Sequence, residues 1–307
     1  MQTVRYGART EQVNREIEAK KADIWSEAVT AVYETDPEIV AAVLPPPLEP
    51  GPEPLVRITI TRVEMPGLPV FGAGWIGVQA RHADRLGEYP ILMPMTTEQS
   101  LIGGREVNGE PKKLGEVDVH RDGDTVSARI ARMGSVICEI VGRINGTREN
   151  YEMEKTDFWF KLSPSCEEPG VLDQDPLLVY GEKTERTRVH ESIDGELILK
   201  EAPLDPVADL VVRRMVDLNW TERASTQVGR VIGPVPRANL QPYLHQRYDD
   251  LSVLGAKRRV TVTSSSRPTP TPACRRRATG PIWIRRTTSS SRRTSPSARV
   301  TATRPCR

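Results

Sequence analysis

Residues 55–63 read L-V-R-I-T-I-T-R-V. Val56, Ile58 and Ile60 alternate with Arg57, Thr59 and Thr61, the two-residue period of a β-strand with one apolar and one polar face. The same grammar continues on the C-terminal side. Pro69–Ala80 and Tyr89–Met95 predict two further strands, and Val117–His120, Thr125–Ala131 and Val136–Ile144 three more, with Asp122-Gly123-Asp124 as a turn. Lys155–Leu162, Arg186–Ser192 and Glu196–Lys200 extend the series, and Asp194-Gly195 between the last two carries the residue types of a hairpin turn.

Helical signals are fewer. Trp25–Tyr33 reads as extended, and Thr35-Asp36-Pro37-Glu38 then opens a helix that Pro45-Pro46-Pro47 stops. A short helix is predicted from Thr96 or Thr97 to Ile102. Asp205–Leu218 predicts a late one, with Leu210, Val211 and Met215 on one stripe. Glu11–Ile24, rich in Glu, Lys and Ala, predicts a helical lead-in. The sum is a strand-rich α+β domain over residues 25–255, after an N-terminal helical extension, 1–24.

The tail, 256–307, is a different text, dominated by Arg, Ser, Thr and Pro. From Leu251 to Arg307 there are 14 basic residues and no acidic one. The net charge of +2 therefore conceals a body, residues 1–250, with 29 basic against 41 acidic residues, a net of −12. Such a body does not bind nucleic acid by charge. The tail lacks the apolar surface to offset its ordering entropy and is expected to be disordered. It reads either as a basic arm for non-specific nucleic-acid contact or, the favoured reading from its abrupt onset, as a frame-shifted or read-through end. No run of about 18 apolar residues predicts a membrane helix. Met1–Gly7 lacks the apolar core of a signal peptide. With four scattered cysteines as well, a cytoplasmic protein is expected.

Chemistry concentrates in residues 104–115, G-R-E-V-N-G-E-P-K-K-L-G. A lysine is a nucleophile only when neutral, and burial among apolar groups or a neighbouring cation favours that state. Lys112 and Lys113 supply an amine with a second amine beside it, and Pro111 stiffens the approach. On its own a Lys-Lys pair is common on surfaces, and on a strand its members point to opposite faces.

The flanking text resembles the lysine motif of the acetoacetate decarboxylase family. Val32-Tyr33-Glu34-Thr35-Asp36, Leu44-Pro45-Pro46-Pro47-Leu48-Glu49 and Pro54-Leu55-Val56-Arg57 resemble its other segments in the same order, over roughly Trp25–Leu251. That family is itself a standing example of a lysine activated by desolvation or a neighbouring cation. The resemblance implies a mostly antiparallel, barrel-like curved sheet with a few flanking helices, and a homo-oligomer. It implies a lyase that decarboxylates a small β-keto acid such as acetoacetate through an imine on Lys112. Lys113 would then support positive charge nearby, and Arg105 and Glu106 would hold the loop. No cofactor and no metal are implied.

The chain departs from the family where its decarboxylases carry an arginine and two glutamates: those positions fall on Ser26, Thr59 and Ala73. Glu110 stands where the family often has an aromatic residue; facing the pocket, it would be a replacement acid or base, and facing solvent, nothing more. Aldolase or dehydratase chemistry through the same imine, and carbonyl binding without turnover, remain open at this point. His82, His120, His190 and His245 show no metal-site spacing. Gly72, Gly74 and Gly77 form a G-x-G-x-x-G string with no helical pattern after it, which argues against nucleotide binding. Tyr243 and Tyr248 are candidate proton carriers that nothing in the sequence locates.

Overall fold

The computed structural model describes residues 24–65 and 69–249, together with residues 4, 6–8 and 251 and the backbone of 264–265. They lie in a compact unit spanning residues 1–271; a second unit, 272–307, falls outside the described residues. The predicted lead-in helix over Glu11–Ile24 also falls outside them, except Ile24, which begins strand β1. Of the tail only Ser264–Ser265 is described, as a two-residue strand β13 on Ile198–Leu199; the rest of the segment expected to be disordered lies outside the described residues.

Strands β1 (Ile24–Glu34), β3 (Leu55–Glu64), β4 (Phe71–His82), β5 (Arg85–Met95), β10 (Glu152–Lys161), β11 (Leu177–Leu199) and β12 (Arg214–Pro234) close into a barrel. Their order is β10-β5-β4-β3-β1-β12-β11, and the pairing of β10 with β11 completes the ring. Within the ring only the β10–β5 contact is parallel. The far half of β11 leaves the ring and pairs with β9 (Ser135–Thr147), which continues into β8 (Thr125–Arg132) and β7 (Glu116–Asp122). Short pieces complete the described chain: β2 (Glu49–Pro50), β6 (Lys112–Leu114), and the helices α1 (Pro37–Val43), α2 (Glu98–Gly103), α3 (Arg237–Leu240) and α4 (Leu244–Arg247). No helix among the described residues is long and apolar enough to cross a membrane.

The two faces of residues 55–63 do different work. Val56, Ile58 and Ile60 are fully buried with Val29, Ala31 and Tyr33 of β1 and Ile76 and Val78 of β4, against Val117, Ala128, Ile130 and Ile140 of the β7–β9 sheet. Each such aliphatic side chain contributes about 1.5–3 kcal/mol through burial. The core therefore lies between the barrel wall and that outer sheet. Arg57, Thr59 and Thr61 take the opposite face, the lumen, where Thr59 and Thr61 are buried too. The polar face of this strand lines the inside of the barrel.

Three expectations are corrected. Asp205–Leu218 is not a helix: after one turn at Val207–Asp209 the chain extends into β12, with Met215 paired to Tyr33. Pairing with β1 on one side and β11 on the other outweighs the local helical stripe. Asp205, the first residue of that predicted helix, is buried with its carboxylate on Arg132 at 2.6 Å. Asp194-Gly195 is no turn, because β11 runs through it opposite Arg143 and Gly142. A Cβ on Gly195 would stand 2.4 Å from the Val141 carbonyl, so that glycine serves close strand approach. At α1 the N-cap is Asp36, but its carboxylate makes no cap bond and holds Arg213 at 2.6 and 2.8 Å instead.

Candidate active site

The lysine motif folds as a loop that returns on itself. Helix α2 runs into a π-helical turn, Gly104–Asn108, which Gly109 ends at φ +82°. Only glycine suits that position: the left-handed backbone disfavours a side chain, and a Cβ would stand 2.6 Å from the Lys161 nitrogen. Pro111 follows, and β6 then pairs with β5 in parallel, Lys112 beside Met93.

This path brings Glu110 and Lys112 together. Lys112 Nζ lies 2.6 Å from Glu110 Oε2 and donates to the Ser100 carbonyl at 2.9 Å. Glu110 is 1% exposed. Its Oε1 accepts from Gln227 Nε2 at 2.6 Å and Asn108 Nδ2 at 3.2 Å. Burial alone would push this carboxyl up; the Lys112 ammonium, Lys183 and Gln227 outweigh it and hold it below the usual carboxylate range. The amine therefore does not sit among apolar groups beside a second ammonium, as the bare sequence suggested. It sits against a buried carboxylate, and Glu110 faces inward.

Lys113 goes elsewhere. Neighbours on a strand point to opposite faces, and its Nζ meets Asp249 at 3.0 Å and Asp205 at 3.5 Å, in a cluster that Arg132 completes. Its charge is neutralised there, which corrects the expected support of Lys112. Arg105 does hold the loop: it donates to the Lys112 carbonyl at 2.8 Å and stacks on Tyr248, 5.0 Å to the ring centroid. Glu106 is exposed, with no hydrogen bond or ion pair to the loop among the described residues. Its place is filled by Arg247, which the sequence did not single out: from α4 it donates to the carbonyls of Gly109, Glu110 and Arg105. Pro111 is buried and its carbonyl accepts from Met93.

Ser26, Thr59 and Ala73 carry no charge, as read from the sequence. Thr59 shares a hydrogen bond with Thr30 at 3.1 Å, and Ser26 lies directly across from Arg223 of β12. Other positions bring charge into the lumen. Arg57 pairs with Glu88 at 2.6 Å, Lys183 with Asp157 at 2.5 Å, and Glu185 with Lys155 at 3.0 Å and Arg223 at 3.1 Å. Cross-strand register puts them on one face: Lys155 opposite Lys183, Lys183 opposite Gln227, Glu88 opposite Asp157. The signal available in the sequence was the period-two spacing of Lys155 with Asp157 and Lys183 with Glu185.

The remaining candidates are structural. The glycine string lies along β4, where Gly72 and Gly77 admit the carbonyls of Val117 and Tyr89. Tyr243 lines a cavity behind Pro111, between β5, β10 and α3–α4. His82 meets the Tyr180 hydroxyl at 2.6 Å, and His190 the Glu149 carbonyl at 2.9 Å.

Gly104 is the tightest point around the amine: a Cβ there would stand 2.3 Å from Glu110 Oε2 and 2.4 Å from Lys112 Nζ. Gly104→Ala is expected to displace the pair and lower turnover by about a hundredfold, since a shift of about 1 Å in a reacting group costs that much. Stopped assays on the folded variant check this; wild-type turnover would show that the pair can move aside harmlessly.

Comparison with known proteins gives a consistent picture. The family model described as acetoacetate decarboxylase matches residues 8–233. The chain is 26% identical over 198 residues to acetoacetate decarboxylase of Clostridium botulinum, covering 60% of this chain and 77% of that one. It is 36% identical over 110 residues to acetoacetate decarboxylase 1 of Bradyrhizobium diazoefficiens, covering 34% of this chain and spanning 42% of that relative's length. Among solved structures, acetoacetate decarboxylase from Legionella pneumophila superimposes with a TM-score of 0.61 at 19% identity, covering 75% of this chain and 99% of that one. The enduracididine biosynthesis enzyme MppR, complexed with pyruvate, superimposes with a TM-score of 0.58 at 16% identity, covering 69% and 90%. These two likenesses show the fold.

Proposed function

The chain belongs to the acetoacetate decarboxylase family, and from that premise we propose that it is an imine-forming lyase of small keto acids, with Lys112 as the nucleophile and Glu110 as its acid–base partner. The observation that carries this reading is the buried Glu110 carboxylate 2.6 Å from Lys112 Nζ. Attack on a ketone requires the neutral amine, so a proton must leave Nζ, and Glu110 is the acceptor in contact with it. The amine adds to the carbonyl carbon. The carbinolamine loses its hydroxyl as water, with Glu110 returning the proton, and a protonated imine remains.

For a β-keto acid the bond to the carboxyl carbon then breaks. Its electron pair flows into the imine, carbon dioxide leaves, and the enamine is protonated at carbon and hydrolysed to the ketone. Decarboxylation of an acetoacetate-type acid is the reading favoured by the sequence relatives.

A second reading has its own observation. Aldol or dehydration chemistry on a 2-keto acid requires a base to remove a proton from carbon beside the imine, and Glu110 stands where such a base is needed. MppR, related in fold, was solved with pyruvate.

Borohydride reduction in the presence of acetoacetate or pyruvate tests the shared step. A reduced adduct on the Lys112 peptide is expected by mass spectrometry. An unmodified Lys112 after exhaustive reduction with both acids would overturn the imine. Proton NMR of the unreduced mixtures separates the two readings, since acetone forms only by decarboxylation of acetoacetate.

A further inference from the structure

The lumen has a polarity that its ion pairs conceal. Five basic and four acidic side chains form one linked set: Lys112 with Glu110, Lys183 with Asp157, Arg57 with Glu88, and Lys155 and Arg223 with Glu185. The carboxylates are tucked away, with 1% to 11% of their side-chain surface open; the cations keep 14% to 19%. The surface presented to an entering molecule is therefore positive, and the set holds one cation more than it has anions.

Two further observations point to a missing acceptor. The Thr221 hydroxyl is buried two residues before Arg223 on the same strand, and it has no hydrogen-bond partner among the described residues. Lys155 is pushed below the ordinary lysine range by burial, with Arg57 and Arg223 adding to the effect against the opposing pull of Glu185. Glu185 is fully engaged, accepting from Tyr151 as well as Lys155 and Arg223, and is held far below the usual carboxylate range despite its burial.

We infer that the lumen binds an acid group of the substrate that lies several bonds from the reacting carbonyl, and that the reaction leaves this group in place; the inference rests on the imine reading of Lys112. Direction follows from register. Lys183 lies across from Gln227, the partner of Glu110, and Glu185 with its two cations lies two residues further along β11, roughly 6–7 Å inward. Retention follows from charge. Cations that grip a carboxylate stabilise the anion, whereas carbon dioxide is neutral, so a group held this way loses stabilisation on departure. The substrate class is a keto acid with a remote carboxylate. Where carbon dioxide is lost, it comes from a second carboxyl group beside the ketone.

Borohydride trapping on the wild-type chain tests this with two methyl ketones, neutral 2-pentanone and 4-oxopentanoate, which differ by a terminal carboxylate. The acid is expected to reach half-maximal trapping at a concentration at least about tenfold lower, the equivalent of one good charge-assisted contact. In Arg223→Met that advantage, read as the ratio of the two half-maximal concentrations, is expected to fall to within about twofold. Equal trapping of the two ketones by the wild type overturns the subsite and leaves the imine standing. Trapping of neither overturns the imine. Calorimetric titration with glutarate, which has no ketone to form an imine, then decides the subsite alone. Binding that weakens with Arg223→Met or with the milder Arg223→Lys supports it, and no binding to the wild type overturns it.

Discussion

Lys112→Met is expected to abolish borohydride trapping and to lower turnover by on the order of a thousandfold or more, because among the described residues Lys112 is the amine paired with Glu110, whose other contacts, Gln227 and Asn108, are amides. The same substitution leaves the Glu110 carboxylate buried without its cation. Removing one partner of a buried pair costs about 3–5 kcal/mol, so urea unfolding is expected to show a loss near the lower end, since Gln227 and Asn108 still donate to Glu110. Lys112→Met combined with Glu110→Gln is expected to recover all but about 1 kcal/mol, because a neutral amide can keep those hydrogen bonds. Activity stays absent in both.

The pH dependence weakens as well. In the wild type the Glu110 carboxyl is held below its ordinary value, so its contribution is present at neutral pH and is lost as pH falls through the folded value. Without Lys112, only Lys183 and Gln227 oppose the effect of burial, so the carboxyl is expected to stand higher than in the wild type. The variant is then expected to lose less stability on acidification through the carboxylate range than the wild type does. Trapping that persists in Lys112→Met would place the nucleophile elsewhere.

Much of this pair was legible in the sequence. Lys112 stood out by its motif, and Glu110 by the question of which way it faced. The orientation itself depends on Gly109 and Pro111 turning the chain so that residues 110 and 112 meet, which no period reveals. Lys113 misled because two lysines adjacent in sequence are not adjacent in space on a strand. The charges of the lumen stayed hidden for a related reason. A Lys-x-Asp or Lys-x-Glu alternation reads as a solvated strand face, and only closure of β10 on β11 turns that face inward. The strands themselves followed from alternation wherever one face met the β7–β9 sheet, as in β3. The helix predicted over Asp205–Leu218 failed because β12 is held by partners distant in sequence, β1 and β11.

Arg247→Met is expected to lower turnover by about a hundredfold in protein that is still folded, the loss that follows from misplacing a reacting group by about 1 Å. The guanidinium is buried and spans three carbonyls of the motif loop, Gly109 at 2.8 Å, Glu110 at 3.1 Å and Arg105 at 3.2 Å. It has no carboxylate partner among these contacts, and burial together with Arg105 pushes it below the ordinary arginine range. Such an electrostatic cost is offset by contacts that fix the turn carrying Glu110. The segment that holds Arg247 is anchored on both sides: Gln246 bonds Tyr89 at 2.8 Å, and Asp249 holds Lys113, the residue after Lys112. Methionine fills similar space without donors, so the carbonyls of residues 105, 109 and 110 lose this tether and the Glu110–Lys112 contact loosens. Arg247→Lys keeps the charge but not the fork, and is expected to recover part of the loss. A role confined to stability would lower the unfolding midpoint while leaving the trapping rate of the folded protein unchanged. A role in positioning slows trapping in proportion to turnover at temperatures well below unfolding, and the ratio of the two rates in Arg247→Met and Arg247→Lys distinguishes these cases.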